Sequence, residues 1–433
     1  MHATRRQILT LRLTTVFWVL VVTLCLLPSA FQEDTYASEP KGIWGRLANA
    51  GFENRPIRAT LFFSGQARDG STWYECTPSP NMCLYTVEPR DSRHLMWSAS
   101  AANRDYAVNQ MANAGLNVIC MSSWGEDSLS CDVGWSHAAP MQCAPKSHDE
   151  LFEAATGKDI LIIPFIESRG DWKFRDEFPH LVNESVAPGT VEQIVNLIDR
   201  YLKNANHPAW GKQWATVYDQ LGQARYAVTI IQASSNRLKC SDHAAYADGF
   251  DRIAEEVLKM TGILVGFLID PLPPETNAPG VFCPSPESTG PELVKTTSIL
   301  GIQSFIPEIW VGKGPTTDEL ADWKGEYSRR WEASGVPFLM DISPGYDAHL
   351  VFPLSRKYGF TTGWRSSLLT MAGVYGQDGL VFNSWNGYTE GMAAVPTQEY
   401  GDTVFNWLEA LCDAGYTYPG SSTASAHARM FRH

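Results

Sequence analysis

Carboxylates and aromatic rings fall together at several points along this 433-residue chain, and that company has a definite chemical use. The stretch "VFNSWNGYTEG", residues 381 to 391, runs an apolar pair into Trp385, Asn386, Tyr388 and Glu390, with glycines at 387 and 391. Comparable groupings are "SSWGEDS" with Trp124 and Glu126, "FIESRGDW" with Glu167, Arg169 and Trp172, and "FLIDPLPP" with Asp270. "IPEIW" adds Glu308 and Trp310, and "DISPGYDAH" adds Asp341, Tyr346 and Asp347. Glycoside cleavage needs one acid to protonate a leaving oxygen and a second carboxylate as base or nucleophile, and flat rings hold the C–H faces of sugars. The chain has 47 acidic residues, so any one alone is explained as well by a solvated surface charge; the argument rests on their coincidence.

Something must bring these groups to one place. Eight short apolar runs recur: "ATLFF" at 59–63, "NVICM" at 117–121, "ILIIP" at 160–164, "YAVTII" at 226–231, "ILVGFL" at 263–268, "GIQSF" at 301–305, "VPFLM" at 336–340 and "GLVFN" at 379–383. Runs that are apolar throughout suit parallel strands buried on both faces. Helical patterns lie between most of them. In "NRDYAVNQMANAGLNVI", Tyr106, Ala107, Gln110, Met111 and Ala114 share a face and Gly115 is placed to end the helix in the left-handed region. "AAYADGFDRIAEEVLKMTG" and "TDELADWKGEYSRRWEASG" end the same way. Alternating strands and helices of this number predict a (β/α)8 TIM barrel in one domain over residues 58–415; a doubly wound open sheet is the alternative. In a barrel the chemistry sits past the C-terminal ends of the strands, which is where each acidic and aromatic grouping falls.

Other classes are disfavoured by what the chain lacks. It has no G-x-S-x-G elbow, no G-x-x-x-x-G-K-[ST] loop and no G-x-G-x-x-G after a strand, so neither a serine hydrolase nor a nucleotide cofactor is expected. No cofactor of any kind is implied. Zinc is the rival use for the cysteines, but they lack C-x-x-C pairing and the histidines lack an H-x-x-x-H partner, so no metal is expected. A net charge of −13 argues against nucleic acid, whose phosphates require basic surface.

Residues 1–30, "MHATRRQILTLRLTTVFWVLVVTLCLLPSA", carry Arg5, Arg6 and Arg12 ahead of an apolar run and end in small residues, the layout of a secretory signal peptide. An uncleaved anchor helix is the alternative, and the membrane enters only in that case; Pro28 and the shortness of the run argue against it. The chain is therefore expected to be secreted or extracytoplasmic, with a lead-in over 31–57 and a tail over 416–433. Of nine cysteines, Cys25 leaves with the signal. The other eight suggest disulfides in loop insertions, Cys76 with Cys83, Cys131 with Cys143 and Cys240 with Cys283 being plausible though not deducible, and Cys120 and Cys412 core thiols.

"WNGYTEG" at 385–391 resembles the last-strand motif of glycoside hydrolase families 71 (α-1,3-glucanase) and 99 (endo-α-mannosidase). "SSW" at 122–124 is similar to the tryptophan-bearing second-strand turn of the mannosidase group, and "SPGYD" at 343–347 to its turn after the seventh strand. The resemblance spans roughly residues 58 to 412. It implies Glu390 as general acid, Trp124 as a ring contacting sugar, and Asn386 and Tyr346 as frames of the pocket. One departure matters: three residues before the acid those families carry a second carboxylate, and this chain has Gly387. The partner must then come from another strand end, Asp270 first and Asp341 second, with Glu167, Arg169, Glu308, Trp385 and Tyr388 completing the substrate contacts. The expected function is an exported glycoside hydrolase acting on an α-linked polysaccharide or glycan. The alternatives are a non-catalytic carbohydrate-binding protein on the same barrel and a surface protein with no ligand.

Overall fold

Eight parallel strands close on themselves. They are β1 (Ile57–Phe62), β2 (Val118–Ser123), β3 (Leu161–Glu167), β4 (Ala224–Ile231), β5 (Val265–Ile269), β6 (Ile299–Gln303), β7 (Phe338–Ile342) and β8 (Gly379–Phe382). Each pairs in parallel with its neighbours in sequence, β3 with β4 included, and β1 sets Ile57 opposite Gly379 of β8 to complete the ring. This is the computed structural model of the chain, and it describes residues 42–63, 85–97, 99–123, 145–167, 189–204, 206, 210–231, 243–271, 285–311, 315–350 and 353–414. The signal segment, the tail after residue 414 and Cys76, Cys83, Cys131, Cys143, Cys240 and Cys283 lie outside them.

All eight apolar runs are barrel strands, because side chains of both parities are buried. One parity fills the barrel: Ala59, Leu61, Val118, Cys120, Ile163, Phe165, Leu268, Leu339 and Val381 belong to one interior cluster. The other parity, with Ile119, Met121, Ile162, Phe267, Phe338 and Met340, packs under the helices. Leu47 and Phe52, ahead of β1, join the interior cluster, and Leu47 bridges Val217 of a short strand, Thr216–Tyr218, that pairs antiparallel with the start of β4. The end of the barrel where strands begin is thus filled, which leaves chemistry to the other end.

The described helices are α1 (Ser92–Leu95), α2 (Ala101–Asn113), α3 (Pro145–Ala155), α4 (Thr190–Tyr201), α5 (His243–Thr261), α6 (Pro286–Leu293), α7 (Thr317–Ala333), α8 (Thr362–Tyr375) and α9 (Thr403–Ala414). Gly115 follows α2 at φ +88°, and a β-carbon there would also meet Cβ of Cys412 at 2.8 Å, so both backbone and packing require glycine. Gly262 and Gly335 end α5 and α7 with φ of +73° and +86°. α7 opens with a capping box in which Thr316 and Glu319 satisfy each other's backbone amides. Cys120 and Cys412 are buried free thiols. No helix among the described residues is long and apolar enough to cross a membrane.

Candidate active site

The segment after β8 is fixed to both neighbouring strands before it turns. Asn383 N–H donates to the carbonyl of Ile342, the last residue of β7, at 2.7 Å, and Trp385 N–H donates to the Leu61 carbonyl of β1 at 2.9 Å. Asn386 then clamps Phe63: its Nδ2 donates to the Phe63 carbonyl and its Oδ1 accepts from the Phe63 amide, both at 2.9 Å. The peptide bond Asn383–Ser384 is cis. Strand Asn386–Gly387 pairs antiparallel with Met392–Ala393, so residues 384–394 form a tight hairpin with Glu390 in its turn. Gly391 sits at φ +71°, and a β-carbon there would meet Phe360 Cζ at 3.0 Å.

A second hairpin, Gly345–Asp347 against Lys357–Gly359, rises from β7 and leans on the first. Asp347 N–H donates to the Glu390 carbonyl at 2.9 Å. The Tyr346 hydroxyl donates to Glu390 Oε1 at 3.4 Å. The Glu390 residue keeps some solvent contact, yet its carboxyl group is enclosed by protein. Burial pushes that carboxyl up to about 7, partly opposed by the Tyr346 hydrogen bond, which favours the charged form. Tyr346 is raised far above the usual phenol range, by burial first and then by the charge of Glu390. On the same hairpin, burial works to raise Asp347, but hydrogen bonds from Lys357 and His349 outweigh it and hold the carboxyl below its usual range.

Beside this pair lies a buried charge cluster. Lys324 of α7 is fully buried between two acids, at 2.7 Å from Glu308 Oε1 and in direct contact with Asp341 Oδ2. Asp341 also accepts from Asn383 Nδ2 and from the Ile306 amide at 3.3 Å. Burial works against the Lys324 charge, but Asp341 and Glu308 more than offset it and hold the ammonium protonated. Burial raises Asp341, and Glu308 adds to this against the pull of Lys324. The two shifts favour opposite charge states for one contact. The ammonium is the firmer of the two, since it has two acids to compensate it while the acids share one cation. Tyr358 completes the group by donating from its hydroxyl to Glu308 Oε2 at 3.4 Å.

Of the residues singled out in the sequence, the structure brings Glu390 and Tyr346 together. Three others meet their own chain. Asn386, taken as framing a pocket, uses its amide oxygen and nitrogen on the Phe63 backbone. Trp385 and Tyr388, taken as lining a cleft, are 1% and 0% exposed. The Trp385 ring meets His94 and Phe405 edge-on, and that of Tyr388 meets Tyr85. Glu308 and Asp341 are joined through Lys324. Asp270 directly follows β5 and is fully buried; the buried phenols Tyr246 and Tyr327 are raised above their usual range by burial first, with Asp270 adding to it. Glu167 ends β3, whereas Trp124 and Arg169 lie outside the described residues.

Sequence reasoning missed Lys324, although a signal was present. Leu320, Lys324, Tyr327, Ser328 and Trp331 recur at helical spacing on the buried stripe of α7, so a lysine there must meet carboxylates inside. Tyr358 and Ser384 carry no such signal. Among the described residues no three His, Cys, Asp or Glu side chains converge in a way that could hold a metal ion.

The fold is a closed (β/α)8 barrel whose candidate site is a buried carboxyl in the hairpin after the eighth strand. The GH99 endo-alpha-mannosidase from Bacteroides thetaiotaomicron, in complex with Bis-Tris-propane, superposes with a TM-score of 0.52 at 14% identity, covering 82% of this chain and 95% of that chain. A second structure of that enzyme gives 0.49 at 14% identity, with 82% and 98% covered. The endo-1,4-beta-mannanase from Rhizomucor miehei gives 0.46 at 13% identity, with 83% and 95% covered. At such identities the first of these establishes a shared fold and the other two add nothing to it. No protein-family model and no curated protein sequence matches the chain.

Proposed function

We propose that the protein is a glycoside hydrolase acting on an α-linked glycan, with Glu390 as its general acid. A barrel fold hosts many chemistries, so the reading rests on the site. The observation that carries it is the Glu390 carboxyl, raised to about 7 by burial at the end of the barrel where barrel enzymes work, with the Tyr346 hydroxyl on one oxygen. A carboxyl in that range is still substantially protonated near neutrality and can deliver its proton to a glycosidic oxygen. The hydrogen bond from Tyr346 then stabilises the carboxylate left behind. For the second carboxylate Asp270 is preferred, because it stands directly at the end of β5, where barrel enzymes place their chemistry. The amino-terminal segment supports export, which the amino terminus of the mature protein tests.

A second reading has its own support. A β-carbon at Gly387 would lie 2.5 Å from Ser384 Oγ, so a side chain at the position of the families' second carboxylate has to displace that hydroxyl from the Met392 carbonyl it donates to at 3.3 Å. That favours a barrel that binds glycans without cleaving them. Incubation with α-glucans, α-mannans and amino-sugar polymers, with reducing-end release and binding measured together, separates the two. Release that disappears in Glu390→Gln supports the hydrolase, and binding without release from any polymer overturns it.

A further inference from the structure

We propose that Tyr358 is a positioning residue for Glu390: anchored on the buried Glu308–Lys324 pair, it fixes the ring of Tyr346 and so aims the Tyr346 hydroxyl at the Glu390 carboxyl. The inference rests on Glu390 being the functional carboxyl. It goes beyond that reading in assigning a purpose to a charge cluster that the chemistry above leaves unused.

The two tyrosines are directly opposed across the hairpin, Tyr358 in register with Tyr346. Their rings are near parallel, 19° apart with centroids separated by 6.2 Å, so displacing one displaces the other. Tyr358 is only 4% exposed and is held from three sides. Tyr346 lies on one. Trp364 meets its ring edge-on at 5.3 Å and is itself pinned by a hydrogen bond from its indole N–H to the Ser343 carbonyl at 2.9 Å. Glu308 accepts from its hydroxyl at 3.4 Å and is gripped by Lys324 at 2.7 Å, while Arg356 donates to the Glu308 carbonyl at 3.2 Å. A continuous path therefore runs from Lys324 through Glu308, the Tyr358 hydroxyl and the paired rings to the Tyr346 hydroxyl and Glu390.

The energetics make a merely structural role a poor account. Burying an ammonium and two carboxylates is costly, and apolar residues of the same volume often support a fold as well or better. What a charged anchor adds is position, because a carboxylate fixed by Lys324 gives the far end of the Tyr358 side chain one polar partner, where apolar packing tolerates several placements. Position is what the Tyr346 side requires. The Tyr346–Glu390 bond is long at 3.4 Å, so a small displacement of the Tyr346 side chain breaks it.

The test titrates Glu390 by infrared difference spectroscopy, wild type against Glu390→Gln, in each background, so it needs no substrate. Tyr346→Phe deletes the hydrogen bond and sets the largest upward shift of the Glu390 midpoint. Tyr358→Phe keeps the ring pair and removes the hydroxyl, with its bond to Glu308 and its contact with Ser343. It is expected to shift the midpoint upward by a fraction of that amount, about half a unit, with the melting temperature little changed. The double variant Tyr346→Phe/Tyr358→Phe is expected to match Tyr346→Phe alone, since Tyr358 acts through Tyr346. Glu308→Gln, which keeps size and an acceptor but drops the charge, is expected to shift the midpoint the same way and stands in should Tyr358→Phe fold poorly. A Tyr358→Phe midpoint equal to wild type, or shifts that add in the double variant, overturns the proposal. If no polymer is cleaved yet these shifts appear, the hydrolase reading fails and the positioning role stands.

Discussion

The hydroxyl of Ser384 occupies the space that a side chain at position 387 would need: a β-carbon on Gly387 would lie 2.5 Å from Ser384 Oγ and 3.4 Å from Met392 Cβ. The missing carboxylate is therefore a matter of packing as well as of sequence. Substituting Gly387→Glu is expected to destabilise the protein by about 1 to 3 kcal/mol through overpacking. It adds no activity, because the new side chain must first displace the Ser384 hydroxyl from the Met392 carbonyl. Adding Ser384→Gly should recover part of the loss in thermal unfolding. Gly387→Glu with an unchanged melting temperature, or with raised turnover, contradicts this.

Removing Lys324 exposes the cost of the buried acids. Lys324→Met fits the same length of chain but leaves Glu308 and Asp341 facing each other without a cation, which is expected to cost about 3 to 5 kcal/mol. Asp341 already has its folded-state value raised, so its neutral form suits the fold; stability is present at low pH and lost as pH rises through that value. Without the ammonium this loss deepens. The destabilisation of Lys324→Met should accordingly grow from pH 5 to pH 8 in denaturant melts, and Asp341→Asn in the same chain should reduce it.

The barrel was legible because buried parallel strands need apolar residues on both faces, and that requirement writes itself into each local run. That Glu390 and Tyr346 would meet was legible, since both stand in motifs at the ends of adjacent strands. Asn386, Trp385 and Tyr388 were not, since an aromatic or amide after a strand reads alike whether it meets ligand or its own chain; only the Phe63 clamp and the His94 and Tyr85 contacts decide, and these partners lie some 300 residues away in sequence. The counter-cation of Asp341 was missed for the opposite reason. Lys324 is visible on the apolar stripe of α7, but its acids belong to other elements, and no spacing rule joins them.

His94 offers a cleaner test of burial. It is 3% exposed, neither ring nitrogen has a hydrogen-bond partner among the described residues, and the ring packs between Tyr106 and Trp385. Burial pushes it down to about 4, with Asp91 pulling up and Arg93 down. The folded value lies below the unfolded one near 6.5, so the fold prefers the neutral ring, and stability is lost as pH falls from about 6.5 toward 4. His94→Phe loses no hydrogen bond and removes that penalty. Its melting temperature should match wild type at pH 7 and exceed it at pH 4.5; a gap that is the same at both values excludes the mechanism.

Glu390 makes opposite demands on activity and stability. Its folded value near 7 lies above the usual glutamate value of 4.5, so the fold prefers the neutral carboxyl; the associated stability is complete below about 4.5 and is lost as pH rises through 7. Glu390→Gln keeps the shape and carries no charge at any pH. At pH 8 it is expected to be more stable than wild type by about 1 to 3 kcal/mol, and at pH 4 to be equal. The same substitution should lower turnover on an unactivated glycan by about 10² to 10⁴ while ligand binding is kept, since the amide cannot deliver a proton. For wild type, kcat/KM should decline above pH 7 as the acid ionises. Stability and turnover thus move in opposite directions on one substitution, as required of a strained functional group and not of a packing residue. A Glu390→Gln variant that is less stable at pH 8, or that retains wild-type turnover, removes Glu390 from the site.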